Sequence, residues 1–245
     1  MTKSMVPQRA STAARWISLA LTIILAIGTA AWLTTAKTRN VAVETATISQ
    51  KTDIISVTLR IPVFTGLGDG TAQEQLNSSI RQNALDFAAK IEELAREAKE
   101  EEWFRPYEVV VDYEVRYLSD EVVSLLISYY QYTGGAHGLT PVEGLTVDAR
   151  TGRKLALQDL FQPGTDYRAV ISTEIARQFD ARRGDFFPDA RDTALDFDEN
   201  DFYVEGGDIV IFFQQYDIAP YAAGHPEFRI PVAFFGDSVT SYLRH

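Results

Sequence analysis

The run Tyr129-Tyr130-Gln131-Tyr132-Thr133-Gly134-Gly135-Ala136-His137-Gly138 sets one imidazole among three glycines at the end of a tyrosine-rich stretch. A neutral imidazole serves as base, metal ligand or hydrogen-bonding brace. Glycine permits positive φ and close backbone approach, so the turn can be sharp, with His137 near its tip. The candidate contacts for a ligand or partner are therefore His137, Gly134, Gly135, Tyr130 and Tyr132. Tyr221 joins them from the later turn Asp217-Ile218-Ala219-Pro220-Tyr221, whose topology can bring it to the same loop. Tyr113, Tyr117, Tyr129 and Tyr216 extend the aromatic set, as amphipathic rings suit a groove for sugar or protein. The competing reading is structural, with His137 capping backbone groups and the tyrosines lining a half-buried sheet edge.

Catalytic and metal chemistry find less support in the spacing. Ser128 and Thr133 supply hydroxyls near His137, but no nucleophile elbow surrounds them, so no catalytic residue is assigned. His225 could join His137 across a sheet, with Glu143 or Glu227 as oxygen ligands, yet no H-x-x-x-H or H-E-x-x-H spacing occurs. The acids Asp185, Asp189, Asp192, Asp196, Asp198 and Glu199 do not follow the EF-hand pattern and read as a solvated face. No metal and no cofactor are expected.

Composition narrows the classes further. The chain has 245 residues, is 46% hydrophobic and contains no cysteine, which excludes disulfides and thiolate chemistry. Residues 1–36 carry Lys3, Arg9 and Arg15 and no acid, leaving 20 basic side chains against 34 acidic ones in the remainder. So acidic a domain is a poor generic binder of nucleic acid; a basic protein partner fits its charge better. From Trp16 the chain reads WISLALTIILAIGTAAWLTTA with no charge before Lys37. About 20 such residues suffice to cross the hydrocarbon core. The expected layout is a short cytoplasmic tail over 1–15, a transmembrane helix or uncleaved signal anchor over 16–36, a stalk or first edge strand over 37–50, and an outer domain over 51–245. Cleavage after Thr29-Ala30-Ala31, giving a secreted form, is the alternative.

These site residues need a scaffold, and periodicity supplies one. Strand alternation marks 52–64, 107–117 and 121–132, the last apolar on both faces and so central in a sheet. Apolar residues at three and four residue spacing mark one helix from Thr71 to near Lys99 and a second from Thr165 to Phe179. Shorter strands are expected at 144–147, 154–157, 208–216 and 228–233, and a long polar loop over 180–200. The βαβ rhythm of a parallel sheet is missing. The fold class read from this order is α+β, an antiparallel sheet packed against two main helices behind the membrane helix.

The stretch YYQYTGGAHGLTPVEGLTVDARTGRKLALQDLFQPG resembles the signature of the DUF3298 family, and YDIAPYAAGHPEFRIP is similar to its second characteristic stretch. IPVFTGLGDGTAQEQLNSSI resembles the DUF4163 segment that commonly precedes it. The resemblance implies an extracytoplasmic module, found in the outer part of RsiV-type anti-sigma factors and ahead of the catalytic domain in some peptidoglycan deacetylases. Fifteen residues before the span are too few for a sigma-binding domain, and no deacetylase domain is expected after residue 245. The reading that follows is a membrane-anchored, single-pass binding module rather than an enzyme, with its C-terminal domain outside the bacterial cytoplasmic membrane. It would recognise a basic envelope protein, such as a lysozyme-like one, or a peptidoglycan fragment. The alternatives are a cell-wall-active hydrolase or hydrolase inhibitor, and a structural subunit of an envelope complex.

Overall fold

The computed structural model describes residues 40–244. The chain first builds β1 (Ala42–Lys51), β2 (Ile55–Thr65), α1 (Gly70–Ala98), β3 (Tyr107–Leu118), β4 (Val122–Tyr132) and β5 (Val142–Asp148). It then builds α2 (Tyr167–Ala181), α3 (Arg191–Leu195), β6 (Phe202–Glu205), β7 (Asp208–Phe212) and β8 (Glu227–Ile230). Strands β1 to β5 lie side by side in chain order in one sheet, and β6, β7 and β8 form a second. The stretch expected as stalk or edge strand is thus the edge strand β1 from Ala42 onward, paired antiparallel with β2.

The α+β class holds, but two parts of the expected architecture need correction. First, the large sheet is mixed. Ile55–Leu59 of β2 pair in parallel with Tyr107–Val111 of β3, and α1 makes the crossover between them. Parallel neighbours need such a long connection, and a single βαβ unit inside antiparallel pairings leaves no repeating rhythm in the sequence. The two main helices also serve different sheets. Second, among the described residues no helix is long and apolar enough to cross a membrane. The span read over 16–36 lies outside the described residues. The membrane helix, the single-pass location and the membrane-anchored reading therefore gain no support and are not carried further.

Helix α1 shows why length alone does not make a span. Its buried residues Ile80, Ala84, Ala88, Ile91 and Ala95 form one stripe against the sheet, while charged residues such as Glu92, Glu93 and Arg96 hold the solvent side. Asp69 caps its start, accepting from Thr71 N at 2.9 Å and Ala72 N at 3.0 Å. Asn77 reaches off the helix to pair with both backbone groups of Phe64, at 2.8 and 2.9 Å. One core forms where α1 covers Val57, Leu59, Val109, Val111, Val123, Leu125 and Ile127. A second forms where α2 covers β7 and β8, with Ile171, Ile175, Phe179, Ile209, Ile211 and Phe228 buried. Residues 180–200, expected as a polar loop, contain α3 and send Phe186, Ala190, Ala194 and Phe197 into that second core. Four apolar residues scattered among acids gave no periodicity to read.

The sheets meet through the other face of β4 and β5. Leu126 and Val142 pack with Tyr203, Val210 and Phe212. Ser124 and Thr146, both buried, share a 2.8 Å hydrogen bond, and Ser124 Oγ also accepts from Val204 N of β6 at 2.9 Å. At Gly144 the approach is closest: a Cβ there would stand 1.9 Å from the Phe202 carbonyl oxygen. Backbone against backbone leaves no flexible atom to yield. Gly144→Ala is expected to destabilise the fold by about 2 kcal/mol or more, measured by urea unfolding; an unchanged midpoint would mean that the two sheets can separate freely at this seam.

Candidate functional site

The second sheet covers only part of the large sheet, and the uncovered part becomes a cleft of about 400 Å³. Asp112 and Glu114 reach it from alternate positions of β3, and Ser128 from β4, directly opposite Asp112. His225 precedes β8 and Glu227 begins it, and Tyr113, Leu126, Thr140 and Val142 also line the cleft. A bulge between Val115 and Tyr117 interrupts the alternation of β3 and re-aims its end. Arg116, also in the cleft, lies over the Tyr203 ring at 5.0 Å and pairs with Glu114 at 3.1 Å and Glu205 at 3.3 Å.

Two polar groups in this cleft are set apart by their hydrogen bonding. His225 Nε2 donates to the Thr140 carbonyl at 2.7 Å, so in the neutral ring Nδ1 carries the lone pair. Arg116 Nε is buried with no hydrogen-bond partner, an unmet donor of the kind that marks ligand sites. Asp112 is held by Arg60 at 3.3 Å. Burial pushes the Tyr203 phenol well above its usual range, and the Glu227 carboxylate that accepts its hydrogen bond acts in the same direction.

Segment 140–142 is fixed by two glutamines following β7. Gln214 accepts from Val142 N at 3.0 Å and donates to Val142 O at 2.9 Å, imitating a strand partner with its amide. Gln215 accepts from Thr140 N at 2.8 Å. The Gln214 backbone N–H in turn donates to Asp217 at 2.9 Å. Between these anchors stands Tyr216 with φ 73°, the one non-glycine residue at positive φ among the described residues. For a non-glycine residue that conformation costs about 1–3 kcal/mol and persists only where the surroundings impose it.

The Tyr216 ring lies against the glycine-histidine loop. A bridge between Gln131 and Leu139 closes that loop. His137 and Tyr221 stack with ring centroids 4.0 Å apart, and the Tyr216 and His137 centroids are 6.4 Å apart. His137 Nδ1 donates to the Gly138 carbonyl at 2.9 Å, which leaves Nε2 to accept from the Tyr216 hydroxyl at 3.2 Å. Tyr130 supports the loop from below, for a Cβ on Gly138 would stand 2.3 Å from its ring. Burial, with Glu108 and the neighbouring tyrosines, raises the Tyr130 phenol.

Of the residues singled out from sequence, His137 and Tyr221 stack on one another, and the Tyr130 ring packs against Gly138 of the same loop. Tyr132 is half-buried at the end of β4. Gly134 takes φ +87° in the exposed turn, and a Cβ there would meet only Tyr107, at 3.7 Å, so Gly134 and Gly135 shape the loop without joining the ring stack. Glu143 is engaged by Lys154 at 3.0 Å and by Tyr129 at 3.4 Å rather than by a histidine pair. Among the described residues no three His, Asp or Glu side chains are grouped to hold a metal ion. Sequence reasoning passed over the cleft itself: Asp112, Arg116 and Thr140 carry no motif and meet only through the sheet register.

The comparisons with known proteins bear on this pair of features. Residues 48–140 match the family model described as Deacetylase PdaC, and residues 158–233 match the model described as Protein of unknown function (DUF3298). This chain carries a DUF3298 domain behind a PdaC-like segment. The chain is 24% identical over 130 residues to a Bacillus subtilis peptidoglycan-N-acetylmuramic acid deacetylase, covering 53% of this chain and 26% of that relative. It thus spans about a quarter of the curated relative's length. Two solved DUF3298 proteins share the fold, each with a TM-score of 0.62 and covering 83% of this chain. The one from Bacteroides fragilis is 19% identical and covered over 95% of its length; the one from Pseudomonas aeruginosa is 22% identical and covered over 96%. The match to a deacetylase corrects the reading of this chain as a binding module rather than an enzyme, and favours the cell-wall-active alternative.

Behind the glutamine ladder, Asp201 is raised from the usual 3.8 to about 6, chiefly by burial, then by the charge of Asp198, against a hydrogen bond from Gln214. The folded state holds this proton more tightly than the unfolded chain. Its stabilising contribution is therefore present in acid and lost as pH rises through about 6. Asp201→Asn is expected to raise Tm above about pH 7 and to change it little below about pH 4; thermal melts across that range check the sign, and equal gains at both ends would contradict it.

Proposed function

We propose that this DUF3298 chain is a cell-wall-directed hydrolase domain that cleaves the N-acetyl amide of a peptidoglycan sugar, with the cleft between its two sheets as the reacting site. The observation that carries the reading is the meeting in that cleft of a base, carboxylates and an unpartnered donor: His225, Asp112, Glu114, Glu227 and Arg116. The likeness to a relative named as a peptidoglycan-N-acetylmuramic acid deacetylase supports the substrate class.

Amide hydrolysis needs an activated water, a stabilised oxyanion and a proton for the leaving nitrogen. His225, with Nε2 anchored on the Thr140 carbonyl, takes a proton from water at Nδ1 as oxygen attacks the acetyl carbonyl carbon. The Arg116 Nε–H, unsatisfied within the protein, donates to the oxygen that gains charge. The carbon–nitrogen bond then breaks, the nitrogen accepts the proton held by His225, and acetate and a free amine result. The acidic lining from Asp112, Glu114 and Glu227 favours the cationic amine product over a carboxylate in the same place. Arg116 is itself held between Glu114 and Glu205, so its guanidinium does not swing away to follow acetate.

The test is acetate release from purified peptidoglycan by the full chain. The expected outcome is turnover by the wild type and a fall in kcat/KM of about 10²–10⁴ in His225→Ala, with folding checked by circular dichroism. Arg116→Lys, which keeps charge but removes the Nε–H, is expected to lower kcat by about 10² with KM little changed. A folded wild type that releases no acetate and uncovers no amine would sink this reading.

A further inference from the structure

The His137 stack stands outside the cleft and ends at solvent. We infer that His137, Tyr216 and Tyr221 form a stacking subsite for the apolar face of a pyranose ring, one or more sugar units along the chain from the residue held in the cleft. The inference rests on the glycan-directed reading above and adds to it a second subsite, which makes the substrate an oligosaccharide rather than a monosaccharide.

Four observations point there. His137 and Tyr216 are exposed and Tyr221 is half-buried, so the stack ends at solvent. The rings are ordered by one another: His137 lies on Tyr221 with an interplanar angle of 23°, Tyr216 and Tyr221 centroids are 5.9 Å apart, and the Tyr216 hydroxyl bonds to His137. Exposed aromatic rings held in place lose little conformational freedom on binding. Tyr216 adopts its positive φ at the apex of a segment pinned by Gln214 and Gln215. The strain presents an aromatic ring where glycine would sit without cost, and such strain gathers at ligand-contacting sites.

The fourth observation is continuity. Thr140 lines the cleft, its carbonyl accepts from His225, and its N–H is held by Gln215, the residue next to Tyr216. The same short segment thus sets the position of the reacting base and of the ring platform. A sugar suits the surface on both counts: its axial hydrogens face the rings, and its hydroxyls reach the histidine and phenol edges. Leu139, 39% exposed, forms the bridge that closes the loop and directly precedes Thr140 in the chain.

The experiment uses the full chain and a soluble tetramer of β-1,4-linked N-acetylglucosamine as probe, with the monosaccharide as comparison, read by titration calorimetry. The expected result is tetramer binding that weakens about tenfold or more in Tyr221→Ala and in Tyr216→Gly. Tyr216→Gly also relieves the positive φ, so Tm stays level or rises while affinity falls, which separates loss of a contact from loss of folding. Wild-type affinity for the tetramer in both folded variants, or no tetramer binding by the wild type, would overturn the subsite. Tetramer binding that depends on Tyr216 and Tyr221 without any acetate release would leave the subsite standing and overturn the hydrolytic reading alone.

Discussion

The contact on which the rest depends is the backbone-to-backbone approach of β5 and β6 at Gly144 and Phe202. Two sheets can come this close only where one residue has no side chain. The buried hydroxyl pair Ser124 and Thr146 then provides an acceptor for the Val204 N–H, a backbone donor that water cannot reach at this seam. An apolar seam alone would let the sheets slide; a hydrogen-bonded one sets their register. With that register set, the second sheet covers Leu126 and Val142 but stops short of Asp112 and Ser128. The cleft is the uncovered remainder of a face that is otherwise core.

The same constraint explains why unusual residues gather at one end of the molecule. Strand β7 ends at Phe212, and beyond it Gln214 and Gln215 hold the next segment of the large sheet with side-chain amides. Side-chain pairing leaves the backbone of this stretch free to turn, and the turn puts Tyr216 in a left-handed conformation facing His137. His225, separated from Thr140 along the chain by β5, β6 and β7, returns to the Thr140 carbonyl. One three-residue segment, 140–142, therefore mediates between an acidic cleft and an aromatic surface. Asp201, raised by burial behind Gln214, couples the protonation of this corner to its stability.

The two family matches divide these features between them. The PdaC-like match ends at residue 140, and the DUF3298 match begins at residue 158. The cleft takes Asp112, Arg116 and Ser128 from the first region and His225 and Glu227 from the second. Neither region holds the cleft alone. The solved relatives share the fold at 19% and 22% identity, a range in which function is argued from the site rather than from the fold.

How much was legible in the sequence follows from the range of the forces involved. Alternation and helical periodicity are local, so the β3–β4 hairpin, α1 and α2 stand close to where they are read, and Asp69 caps α1 as its type suggests. The glycine-histidine loop was legible because its three glycines fall within five residues, and a Cβ on Gly138 would meet the Tyr130 ring. The parallel β2–β3 pair was not, since a lone crossover leaves no repeat, nor was α3, whose buried Ala190, Ala194 and Phe197 sit among acids. The sequence by itself determined which segments become strands and helices, and that one histidine would stand on a tight loop among tyrosines. Only the tertiary structure decided that Tyr216 would be strained against that histidine and that Asp112, Arg116 and His225 would share a cleft. Those meetings depend on sheet register and on one Cβ-free contact, interactions between residues far apart in the chain that no local pattern encodes.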